Sequence, residues 1–144
     1  MPPTGDDLRL AIDLYKDANA GIASLWTFFA GVVVPLLIFV LGFTARVPGS
    51  VKLALAVIFS CFAALNAYSM WHTQQTLHSA ANAIQEMTAA VGVTPALQPT
   101  LSTLHAFGPG TEVSLQIALS LVTLAAIAVA HYSPDMLLRP AASP

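Results

Sequence analysis

LWTFFAGVVVPLLIFVLGFT, Leu25 to Thr44, runs for 20 residues without an Asp, Glu, Lys, Arg or His. At about 1.5 Å per residue, a helix of that length covers the roughly 30 Å hydrocarbon core of a bilayer. Two further runs share the property, Leu53 to Trp71 and Val113 to Ala130. The chain therefore reads as an all-α integral membrane protein with three transmembrane helices. Composition agrees: apolar residues make up 56% and charged residues 8%, against about 25% charged in a soluble domain. A soluble fold of 144 residues has too little interior to hide so much apolar surface.

Outward from these runs the helical period continues. Thr4 and Asp7 have the spacing of a capping box, in which a hydroxyl and a carboxylate three residues apart satisfy the free amides of a helix start. Leu8, Ala11, Tyr15, Ala18 and Ile22 then recur at steps of three and four, with Asp6, Arg9, Asp13, Lys16 and Asp17 off the stripe. Residues 5–24 are expected to form an amphipathic helix that leads into the first span at 25–44.

Beyond Trp71, Leu77, Ala81, Ile84, Thr88 and Val91 repeat the same steps, so the second helix, spanning the membrane at 53–71, is expected to run on through 72–91. Pro48 and Gly49, within the segment 45–52, predict a tight turn with positive φ at Gly49 and Ser50 as the next N-cap. An antiparallel hairpin follows, whose two extensions project on one side and pair along Leu8, Ala11, Tyr15, Ala18, Leu77, Ala81, Ile84 and Val91 as a stalk.

The segment 92–111 contains Pro95, Pro99 and the breaker Gly108-Pro109-Gly110 and reads as a loop. Thr111 is expected to cap the third span, 113–130, with Glu112 in its first turn. A tail, 131–144, ends the sequence.

Within the spans, Pro35 cannot donate to the carbonyl of Gly31. Gly31 and Pro35 are the candidate hinge, with a static packing kink as the plainer expectation. Asn66 and Gln116 should lie at similar depth, where two amides on neighbouring helices can hydrogen-bond. Small residues align as Ala56, Ser60, Ala63 and Ala67 on the second span and as Gln116, Ser120, Thr123, Ala126 and Ala130 on the third. These faces are candidate helix–helix contacts, or the lining of a pore built from several copies.

The remaining chemistry is sparse. Catalysis needs a nucleophile with a base, a carboxylate pair or a cofactor motif, and none is evident, so a non-enzyme without a cofactor is expected. Four histidines leave a metal or haem reading open, but no CxxCH or HExxH accompanies them, and His72 and His78 are six apart rather than the three or four of helical ligand pairs. A net charge of -2 without a basic run gives no electrostatic footprint for nucleic acid. No basic leader precedes the first run, so it is expected to be a retained span.

Arg9 and Lys16 fall on one side of the membrane, and Arg46, Lys52 and Arg139 on the other. The positive-inside rule thus favours an exported N-terminus and long loop and a cytoplasmic C-terminus. Trp26 and Trp71 would mark one interface, Phe43 and Tyr132 the other. The partners implied are the bilayer itself and a homo-oligomer or larger membrane complex, in which the chain serves as a subunit or assembly factor. The alternatives are an oligomeric pore or transporter subunit and a histidine-based metal or haem protein.

Overall fold

A computed structural model describes residues 4–43, 47–91 and 110–132, and leaves the side chains of Phe43, Val91, Ala130, His131 and Tyr132 undescribed. The described residues form three helices: α1 (Gly5–Phe43), α2 (Gly49–Val91) and α3 (Thr111–Tyr132). All three are long and apolar enough to cross a membrane. With 39 and 43 residues, α1 and α2 reach about 58 and 65 Å, roughly twice what a bilayer requires. Each is a span continued by an extension, and together they make an antiparallel hairpin. Most of the expected loop 92–111, the turn residues 44–46 and the tail from 133 onward lie outside the described residues.

The helix starts follow from local chemistry. At α1 the capping box is complete: Thr4 N donates to Asp7 Oδ2 at 2.8 Å, and Asp7 N donates to Thr4 Oγ1 at 3.4 Å. The Thr4 hydroxyl also donates to Asp7 Oδ2 at 2.7 Å. Those donors, the hydroxyl first and the backbone amide second, hold the exposed Asp7 carboxyl below its ordinary pKa.

The other two starts differ from expectation. At α2 the Pro48 carbonyl accepts from Val51 N at 3.0 Å and Lys52 N at 3.3 Å. Pro48 therefore occupies the cap, Gly49 is already helical without a positive φ, and Ser50 lies inside the first turn. At α3 the Gly110 carbonyl accepts from Ser114 N at 2.8 Å, so Gly110, with φ at 92°, takes the cap position expected of Thr111. In both cases a backbone carbonyl one or two residues earlier starts the ladder, and the hydroxyl residue becomes an ordinary first-turn position. Only glycine adopts Gly110's conformation without strain.

The chain packs as two compact units. The first comprises Met1–Trp26 and Tyr68–Ser114. Ala11, Ala18 and Ile22 of α1 are buried in it, as are Met70, Ala80, Ala81 and Ile84 of α2. Leu8, Tyr15 and Leu77 are half-buried. The small residues allow close approach: a Cβ added at Gly21 would stand 3.3 Å from Thr73 Cγ2. Polar positions off the seam, Asn82, Gln85 and Glu86 among them, are exposed. This is the pairing of two amphipathic helices along a three-and-four seam.

The second unit comprises Thr27–Ala67 and Leu115–Pro144. Phe29 and Phe59 are buried here and cluster with Phe28 and Phe62, with ring centroids 5.4–6.5 Å apart. Such aromatic pairs add about 0.5–1.5 kcal/mol each beyond the area they bury. A second cluster joins Val40 and Ile127 with Leu36, Ala56 and Leu124. α1 passes through Pro35 as one unbroken helix, and both Gly31 and Pro35 lie on its exposed side. A Cβ at Gly31 would meet nothing within 4 Å, so among the described residues no helix uses the close approach that glycine allows there.

Candidate functional site

Polar side chains concentrate inside the second unit. Asn66 on α2 is 5% exposed, and on α3 Gln116 is fully buried and Thr123 is 1% exposed, with Ser120 also buried. On α3 these residues recur at steps of four and three, and the next buried position is Ile127, where the sequence pattern pointed to Ala126; Ala126 is half-buried. Ile127 is the bulkier side chain and packs against Val40, and burying its larger apolar area favours that rotation. On α2 the buried face of this unit runs through Phe59, Ala63 and Asn66. Ala67 is half-buried and Ser60 is exposed, because Phe59 offers more apolar area to the interior than Ser60.

The hydroxyls bond to their own helix. Ser120 Oγ donates to Gln116 O at 2.8 Å, Thr123 Oγ1 to Leu119 O at 2.9 Å, and on the exposed side Ser60 Oγ to Ala56 O at 2.8 Å. Back-bonding of this kind makes serine and threonine tolerable in an apolar setting. The amides behave differently. Asn66 Nδ2, Gln116 Nε2 and Gln116 Oε1 are buried without a hydrogen-bond partner. The expected Asn66–Gln116 hydrogen bond is therefore not made: although both amides face the interior, their donors do not reach an acceptor. Leaving a buried polar group unsatisfied costs about 1–3 kcal/mol, more than the roughly 0.6 kcal/mol a membrane hydrogen bond usually returns.

In the first unit the start of α3 is tied down by side chains that the sequence pattern did not bring together. Trp26 Nε1 donates to Glu112 Oε2, and Gly110 N donates to Gln74 Oε1 at 3.1 Å. A Cβ at Gly110 would lie 3.4 Å from Trp71 Cζ3. Both tryptophans thus stand at the level of the α3 N-terminus. Trp26 and Glu112 are separated by 86 positions, a distance at which no local pattern operates. The one sequence cue was a pair of tryptophans at the same expected depth as an acidic first turn.

A groove of about 610 Å³ opens nearby, with Asp17, Gly21, His72, Thr73, Thr76 and Ser79 in its walls. His72 packs edge-on against Tyr68 with centroids 4.5 Å apart, and His78 is half-buried. His105 and the side chain of His131 lie outside the described residues. Among the described residues no group of three or more His, Cys, Asp or Glu gathers as a metal set would. Compared with known proteins, the chain matches no family model, no curated protein and no solved structure.

Proposed function

We propose that the protein is a small multi-span membrane interaction protein, a subunit or assembly factor that joins copies of itself or a larger membrane complex. The observation that carries this reading is the outward placement of small residues on the spanning helices. Gly31 meets nothing within 4 Å, and Ser60, Cys61 and Ala64 line the exposed side of α2. A surface made only for lipid gains nothing from such positions, whereas a neighbouring helix gains close backbone contact. Only 11% of the most apolar window of α1 is buried within the chain, leaving most of that span for lipid or a partner.

Cys61, the chain's one cysteine, is exposed on this face and serves as a native probe. Thiol crosslinking in native membranes should yield a covalent dimer, or an adduct with one defined partner at constant stoichiometry. A strictly monomeric product at every protein density would defeat the reading. The pore alternative requires Gln116, Ser120 and Thr123 to face a lumen, and their burial inside one chain favours packing instead. Ion flux through purified protein in liposomes distinguishes the two. The orientation we favour places the N-terminus and long loop outside and the C-terminus in the cytoplasm. A cysteine introduced at Gln75 in a Cys61→Ser background should then react with an impermeant reagent added from outside.

A further inference from the structure

We propose that the face of α1 pointing away from α2 in the first unit pairs with the same face of a second copy, an inference that rests on the assembly reading and names its partner and surface. In this unit α1 packs on α2 through Ala11, Ala18 and Ile22. With about 3.6 residues per turn, Ala20 lies on the opposite face. Arg9 and Lys16 fall to one side of it, Asp6, Asp13 and Asp17 fall to the other, and all six residues are exposed. The five charged side chains make no hydrogen bond or ion pair among the described residues. Residues 1–3 and 92–109, which complete the unit outside the described residues, contain no Asp, Glu, Lys or Arg to compensate them.

A helix face with one basic edge and one acidic edge complements itself. Two copies inserted the same way round are related by a two-fold axis along the membrane normal, which sets like residues at like depth and each basic edge against the other copy's acidic edge. Lys16 of one copy then meets Asp17 of the other, its neighbour in depth, and Arg9 falls between the levels of Asp6 and Asp13. A partner of uniform charge would match only one edge, so the occupant is a second copy. Each exposed ion pair adds little affinity, but their arrangement selects the partner and its register. Ala20 and Ser24, small and exposed where α1 nears the first apolar run, let the two backbones approach closely.

The test is disulfide crosslinking of the full chain in native membranes, with Ala20→Cys in a Cys61→Ser background and copper phenanthroline as oxidant. A covalent dimer should form. Lys16→Asp, which leaves acid on both edges at that level, and Asp17→Lys, which leaves base on both, should each lower its yield about fivefold, as the loss of two exposed ion pairs implies. Coexpression of these two variants under different tags should restore the yield as a mixed dimer, a rescue that a folding defect in either chain cannot produce. No dimer from Ala20→Cys, an undiminished yield in either charge variant, or absence of the mixed dimer would each overturn the proposal. If the native Cys61 still captures one defined partner in that case, the assembly reading stands through another surface.

Discussion

The two units use one helical period for opposite purposes. In the first, alanines, Ile22, Met70 and Ile84 are inside, and Asn82, Gln85 and Glu86 are outside, as in a water-soluble pair of helices. In the second, Asn66, Gln116, Ser120 and Thr123 are inside, while Val34, Ile38, Leu53, Ile58, Leu65, Leu121 and Val122 are exposed. A three-and-four seam is thus independent of which side is polar; the surrounding solvent decides that. The same helices, α1 and α2, carry both arrangements along their length.

The comparison is sharpened most by removing bulk from the second unit. Phe29→Ala takes away a ring packed against Phe59 and Phe62 and should cost about 3–5 kcal/mol, measured by reversible unfolding in mixed micelles. A pair of identical substitutions then tests the polar interiors directly. Gln116→Leu removes two unpaired buried polar atoms, Nε2 and Oε1, and should stabilise by about 1–3 kcal/mol. Gln74→Leu, in the first unit, abandons Gly110 N and should destabilise by about 1 kcal/mol. Equal signs for the two would break the contrast.

Smaller effects belong to the start of α1. Thr4→Ala should weaken its first turn by about 1 kcal/mol, read as faster amide exchange confined to the first turn. Acid should act at the same place. Because the folded Asp7 carboxyl titrates below its ordinary range, its contribution is complete above that range and is lost as pH falls through the lowered value. Amide exchange corrected for intrinsic rates should therefore show the first turn loosening in acid, and the Thr4→Ala variant should show less of that pH dependence.

The spans, the continuation of α2 past Trp71 and the capping box at Thr4 and Asp7 were legible in the sequence because each depends on neighbours a few residues apart. The caps at Pro48 and Gly110 were not, since every residue has a carbonyl and side-chain identity does not mark which one begins the ladder. Ser60 and Ile127 show the limit of periodicity: a stripe of small residues and a stripe of large ones lie one residue apart, and bulk decides which turns inward. The unpartnered amides of Asn66 and Gln116 depend on side-chain reach between helices, for which sequence depth is only a coarse guide. The Trp26–Glu112 contact joins residues too distant in the chain for any pattern.

The aromatic cluster of Phe28, Phe29, Phe59 and Phe62 draws all its rings from α1 and α2. During synthesis these residues leave the ribosome well before Gln116, at a few to some twenty residues per second. The ring contacts need no residue of α3 and can therefore close while α3 is still unmade. The third helix would then be the last to dock, and its fully buried glutamine is the residue whose dehydration that final step must accomplish.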